Sequence, residues 1–150
     1  MPIAEICSRG VVIANPGDSL RAVAELMRLH HVGSVVVIRD DGGLCRPLGI
    51  ITDRDIVLAL VANDVSPDAV SAGDVMSEPL ETISESDEIW QALERMRSRG
   101  VRRLPVLGSR GELVGIVSAD DLVELVAEEL ASLARIIGRE QRQEASRRSG

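Results

Sequence analysis

The sequence predicts a mixed α/β (α+β) fold made of two copies of one helix–strand–strand–helix unit, on three observations. One short phrase occurs twice, as Gly49-Ile50-Ile51-Thr52-Asp53-Arg54-Asp55 and as Gly115-Ile116-Val117-Ser118-Ala119-Asp120-Asp121. The likeness continues upstream: with Asp18 set on Asp87, Leu20 meets Ile89, Val23 meets Ala92, Met27 meets Met96, Val32 meets Val101 and Val37 meets Val106. Within each copy, apolar residues at helical spacing give way to short runs of β-branched residues, the change of period that marks a helix passing into strands.

In chain order, Val11 to Ala14 is a short apolar run closed by the turn Asn15-Pro16-Gly17, and Asp18 is expected to cap the following helix. Leu20, Val23, Ala24, Met27 and His31 follow the i, i+3, i+4, i+7 pattern, which predicts a helix over 19–30 with one buried face. Val35 to Ile38 is continuously apolar and reads as a buried strand. The polar, glycine-bearing stretch Asp40 to Pro47 reads as a loop; it absorbs the three extra residues of the first copy, since loops vary in length at little cost. Leu48 to Ile51 is the next strand, and Thr52 starts a helix to about Ala62. Pro67 and Gly73 punctuate a linker.

The second copy repeats the plan. Glu81-Thr82-Ile83 is a short extended piece, and Ser86 or Asp87 is expected to cap a helix whose apolar face is Ile89, Ala92, Leu93 and Met96. Leu104-Pro105-Val106-Leu107 is a strand whose proline cannot donate to a ladder, so an edge or a strand start is expected for it. Val114 to Val117 is followed by a helix from Ala119 that outruns its counterpart, with Leu122, Val126, Leu130, Leu133 and Ile137 three or four apart. This extension packs either on its own domain or on a partner. From Gly138 the chain is polar, and a frayed tail is expected. The expected division is therefore 1–66 for the first repeat, 67–127 for the second and 128–150 for the helical extension and tail. At roughly sixty residues each repeat is marginal alone, so the two are expected to share packing.

Composition narrows the function. One Trp, no Tyr and no Phe leave Val, Ile, Leu, Met and Ala to build the core. A net charge of −7 argues against sequence-independent nucleic-acid binding, which needs clustered Lys and Arg. Cys7 and Cys45 have no metal-ligand spacing, and adjacent His30 and His31 lie on different faces of a helix end without a ligand partner. Trp90, beside its helix's apolar face, reads as a half-exposed surface residue or a dimer anchor. The first residues show neither a basic start nor an apolar run, and no stretch approaches the ~20 apolar residues of a membrane helix, so a cytoplasmic location is expected. No nucleophile–base set, paired acid and base or phosphate loop stands out, so no enzymatic activity is expected.

The repeated phrase carries the chemistry. Thr52 and Ser118 stand where a strand becomes a helix, and Asp55 and Asp121 follow at the capping-box position. One reading is two helix caps, each worth ~1 kcal/mol. The other is a ligand site. Helix N-termini attract phosphate, a carboxylate accepts charge-assisted hydrogen bonds from ribose hydroxyls, and Ile50 and Ile116 offer apolar walls for a base.

The helix–strand–strand–helix unit with its Gly-h-h-[Thr/Ser]-x-x-Asp junction, together with Gly100-Val101-Arg102-Arg103-Leu104-Pro105-Val106, resembles the cystathionine β-synthase (CBS) domain, and two copies in register resemble a tandem CBS pair, or Bateman module. The resemblance runs over roughly residues 3 to 127. It implies two βαββα repeats related by pseudo-two-fold symmetry, with two clefts between them, and a stand-alone regulatory module that binds AMP, ADP, ATP or S-adenosylmethionine, forms a homodimer and signals to a protein partner. No obligatory cofactor is implied. Carried over, one cleft combines Thr52 and Asp55 with Val101, Arg102, Leu104 and Pro105 and with Met76 and Pro79; the other combines Ser118 and Asp121 with Val32, Gly33 and Ser34. Arg102 and Arg103 are the phosphate candidates, Arg being suited to bidentate oxyanion binding; the alternative is a solvated edge or a salt bridge. The first repeat has Gly33 and Ser34 at those positions, so unequal clefts are expected. A ligand-independent structural dimer with vestigial clefts is the competing reading.

Overall fold

Val35, Val36, Val37 and Ile38 are buried in succession, which requires cover on both faces of their strand. In the computed structural model, which describes residues 1–149, that strand is the centre of a three-stranded sheet. β1 (Ile13–Ala14) pairs parallel to β2 (Ser34–Asp41), and β3 (Leu44–Thr52) pairs antiparallel to it. β4 (Ile83–Ser84), β5 (Arg103–Leu107) and β6 (Leu113–Ser118) form a second sheet with the same order and directions. The helices are α1 (Leu20–His30), α2 (Asp53–Ile56, continued by a π-helical turn Val57–Val61), α3 (Ala72–Val75), α4 (Ile89–Arg99) and α5 (Ala119–Arg148). The predicted mixed fold of two like units with a long last helix is the observed one.

Each sheet has its own core, and each core borrows from outside its sequential unit. The first gathers Leu20, Val23 and Met27 of α1 with Val35, Val37 and Ile51, and is closed by Ala72 of α3. The second gathers Ala92 and Met96 of α4 with Leu104, Val106, Val117 and Leu122, and is closed by Ile3 from the chain start. The division at 66/67 thus describes chain order, not space: the linker seals the first core and residues 1–8 seal the second. Backbone bonds fix both seals, from Leu20 N–H to Val70 C=O at 3.0 Å and from Ile3 N–H to Asp87 C=O at 2.8 Å. β3 and β6 meet, so the two strand-to-helix corners face the boundary between the repeats.

Local chemistry corrects several expectations. Asp18 and Asp87 do not cap helices; they close the turns before them, accepting from Asn15 N–H at 2.8 Å and Ser84 N–H at 3.1 Å. Ser19 is the true N-cap of α1, its hydroxyl accepting from Ala22 N–H, and Glu88 occupies that position in α4. The stretch 40–47 is no loop. β2 and β3 run on to a two-residue hairpin turn at Gly42 and Gly43, whose φ of 63° and 87° suit glycine. Pro105 lies inside the central strand of its sheet, buried, rather than at an edge. Its counterpart Val36 donates to Val12 C=O at 3.0 Å; without that donor the β4–β5 ladder starts one residue later, at Ile83 and Val106. Finally, α5 does not fray at Gly138 but stays helical to Arg148. Glu, Gln, Arg and Ala are good helix formers, and extending an existing helix carries no nucleation cost.

Candidate functional site

The corner at Thr52 is a complete capping box. Thr52 Oγ1 accepts from Asp55 N–H at 3.2 Å, and Asp55 Oδ2 accepts from Thr52 N–H at 2.8 Å. The corner at Ser118 repeats it, with Asp121 N–H on Ser118 Oγ at 3.1 Å and Ser118 N–H on Asp121 Oδ2 at 2.8 Å. Each corner is tied to its own sheet in the same way: Asp53 N–H donates to Gly33 C=O at 3.0 Å, and Ala119 N–H to Arg102 C=O at 2.8 Å. The capping role is therefore real at both corners, but it does not exhaust either one. Asp55 Oδ1 has no hydrogen-bond partner among the described residues, and the Thr52 hydroxyl proton is likewise uncommitted. Both are partly solvent-accessible.

They open on a cavity of about 390 Å³ between the repeats. The Thr52 side supplies Ile50, Thr52 and Asp53–Asp55; the opposite side supplies Gly100–Arg103; Ser77 and Pro79–Glu81 form the remaining wall. Apolar atoms make up most of the lining surface, as in small-molecule sites, but the polar groups around it are numerous. Three guanidinium groups (Arg54, Arg102 and Arg103) and three carboxylates (Asp53, Asp55 and Glu81) surround it. Arg102 also reaches Asp120 at 3.2 Å, the salt bridge weighed as an alternative. Both partners are largely exposed, so this pair is worth little and leaves Arg102 free to turn. Glu81 is held similarly by Arg99 at 3.4 Å.

Of the residues assigned to this cleft from sequence, Ile50, Thr52, Asp55, Pro79, Val101, Arg102 and Arg103 line it together. Three do not. Leu104 is fully buried in the second core, Pro105 is buried behind the strand surface, and Met76 packs over Gly49 and the first core. Both Leu104 and Pro105 lie in β5, the central strand of its sheet, where consecutive residues point to opposite faces and both faces are covered, so neither reaches the cavity. Asp53, Arg54, Ser77, Leu80, Glu81 and Gly100 line the cavity without having been singled out. The spacers of the repeated phrase and the neighbour of Val101 were visible signals; Ser77 is placed by a bond to Ile50 C=O at 3.0 Å that no pattern announces.

The pseudo-equivalent corner is shallower and more open to solvent. Asp121 lines a depression of about 200 Å³ with Ile6, Glu124, Leu125 and Glu128, and Val32, Gly33 and Ser34 are not among its walls. A Cβ on Gly33 would stand 3.3 Å from Asp53 Oδ2 and 3.6 Å from Arg103 Nη2, so side chains of the first cleft crowd this backbone. Ile116 is bridged on both sides by Ser8, through N–H···O bonds of 2.9 Å each way.

Among the described residues no group of His, Cys, Asp and Glu is placed to hold a metal, and no helix is long and apolar enough to cross a membrane. Comparison with known proteins places this geometry. The sequence matches the CBS domain family over residues 3–62 and again over 72–128. It is 37% identical over 123 residues to the uncharacterized protein MK0525 of Methanopyrus kandleri, covering 82% of this chain and 61% of that one, so it spans under two-thirds of that relative. It is 32% identical over 124 residues to hypoxic response protein 1 of Mycobacterium tuberculosis, covering 83% of this chain and 84% of that one. The crystal structure of a hypoxic response protein I with two coordinated zinc ions superposes with a TM-score of 0.72 at 31% identity, covering 83% of this chain and 98% of that one. The CBS domain pair of protein MJ0100, crystallised with 5′-methylthioadenosine and S-adenosyl-L-methionine, shares the fold at a TM-score of 0.71 and 22% identity, covering 84% and 99% of the two chains. With each repeat matched in turn and both corners built alike, this chain belongs to the CBS domain family as a tandem pair.

Proposed function

We propose that this CBS pair is a regulatory sensor that binds an adenosine-containing ligand in the cleft between Thr52–Asp55 and Gly100–Arg103. One observation carries the reading: a carboxylate with a free oxygen faces two arginines across an apolar-walled cavity that joins the repeats. Asp55 Oδ1 would accept from the ribose hydroxyls, Ile50 and Val101 would flank the base, and Arg102 and Arg103 would meet phosphate. Arg54, Arg102 and Arg103 suit the phosphates of AMP, ADP or ATP, while the equal number of carboxylates would also accommodate the sulfonium of S-adenosylmethionine. The MJ0100 complex is a precedent for adenosyl ligands in this fold. A ligand bridging two repeats shifts their relative arrangement by no more than its differential affinity for the alternatives, and a partner protein would read that shift. The role is regulation, not turnover, and the acting form is a homodimer.

Thermal melting of the full chain with AMP, ADP, ATP and S-adenosylmethionine tests the reading. Ligand at 100 times its dissociation constant adds ~2.7 kcal/mol, or roughly 5–10 °C for a domain of this size. Flat curves with all four would overturn it. The second reading, a structural dimer with vestigial clefts, is favoured by the apolar side chains left exposed on the helices, among them Leu29, Val61 and Trp90. It predicts the same dimer with no ligand response.

A further inference from the structure

α5 is thirty residues long, yet Leu122 is its only buried residue. Beyond it, Val123, Val126, Leu130, Leu133 and Ile137 recur at alternating steps of three and four, the a and d positions of a heptad, and all are between 41% and 68% exposed. Ala127 and Ala134 follow the d positions, leaving room for a second helix to come close. Charge along the helix is polarised. Its first half carries Asp120, Asp121, Glu124, Glu128 and Glu129 with no Lys or Arg; from residue 135 it carries Arg135, Arg139, Arg142, Arg147 and Arg148 against Glu140 and Glu144. Among the described residues, the one salt bridge reaching α5 is Arg102–Asp120. The acidic and basic halves are thus unmatched within the chain.

We propose that α5 pairs antiparallel with α5 of a second copy of this chain, about a two-fold axis between Leu130 and Leu133. Leu130 then opposes the second copy's Leu133, and Val126 opposes its Ile137. The seam is self-complementary, as a two-fold contact requires. Antiparallel pairing lays each acidic half along a basic half and opposes the helix dipoles; a parallel pair would align like charges along its whole length. The inference deepens the homodimer reading above by assigning its surface and polarity, and is independent of what the cleft binds.

The test is sedimentation equilibrium of the full chain without ligand, wild type against Leu130→Glu/Leu133→Glu, with melting curves to verify that both fold. Both leucines are exposed in the single chain, so the variant should fold, while its dimer dissociation constant should rise by about 100-fold or more. Polarity is read by oxidation in a Cys7→Ser/Cys45→Ser background. Val126→Cys combined with Ile137→Cys should cross-link the dimer; either substitution alone should not, because like residues would be ~16 Å apart, beyond disulfide reach. A monomeric wild type would overturn both this assignment and the homodimer. A dimer indifferent to the glutamates, one cross-linked by single cysteines, or one not cross-linked by the pair would overturn the assignment alone.

Discussion

Asp55 divides its carboxylate between two tasks, and substitution separates them. Oδ2 holds the Thr52 N–H, while Oδ1 is left for a ligand. Asp55→Ala removes both, costing about 1 kcal/mol of stability and the ligand-induced rise in melting temperature. Asp55→Asn keeps an oxygen for the cap but loses the charge, so it should melt within a few degrees of wild type while its response to nucleotide is strongly reduced. Calorimetric titration of the two variants checks the difference. Gly115 poses a different constraint. A Cβ there would meet Ser8 C=O at 2.9 Å and Cys7 Sγ at 2.8 Å, and Ser8 is fixed by its paired bonds to Ile116. Gly115→Ala should therefore cost ~1–3 kcal/mol in denaturant unfolding, whereas Gly10→Ala, in open space, should cost far less.

At the scale of elements, the two closing segments decide whether each repeat is complete. Ile3 is wholly buried in the second core although in sequence it belongs to the first repeat. Ile3→Ala should destabilise the protein by ~2–5 kcal/mol, measured by denaturant melts. The segment closing the first core is held by acid-sensitive contacts. The Arg21 guanidinium hydrogen-bonds Asp68 and holds its carboxyl below the ordinary range, and the Ser71 N–H and then its hydroxyl do the same for Asp74. A carboxylate with a lowered folded pKa stabilises above its unfolded value and loses that contribution as pH falls through the folded one. Hydrogen-exchange protection factors of residues 67–76, corrected for the intrinsic rate at each pH, should accordingly fall as pH drops below about 4, and Asp74→Asn should remove part of that pH dependence. Periodicity disclosed α1 and α4 because their burial follows one face, and short apolar runs disclosed the strands because β2 and β5 are covered on both faces. It missed the hairpin, since Asp40 and Asp41 read as loop residues when two glycines at positive φ in fact reverse a ladder. It also missed that the first residues belong spatially to the last repeat, because pairing across the whole chain leaves no local signature.

For the molecule as a whole, the duplicated sequence suggested two comparable clefts, and the atoms make them unequal. The corner residues were legible because their spacing is set by helix geometry. The cleft walls were not, because they depend on how two sheets meet. On the Thr52 side, the linker turns at Pro79 and leaves a cavity of about 390 Å³; at the aligned position on the other side the chain has Gly10, and Gly33 lies against Asp53 and Arg103. If an adenosine-containing ligand needs a cavity of about 390 Å³ beside its carboxylate, only the first corner offers one. Titration should give one equivalent of nucleotide per chain. Asp121→Ala should leave that stoichiometry and affinity nearly unchanged while costing about 1 kcal/mol through its lost cap, and Asp55→Ala should abolish the binding isotherm. Two equivalents lost one at a time by the two variants would mean instead that Gly33 and Arg103 part when ligand arrives, and that the repeats respond as equals.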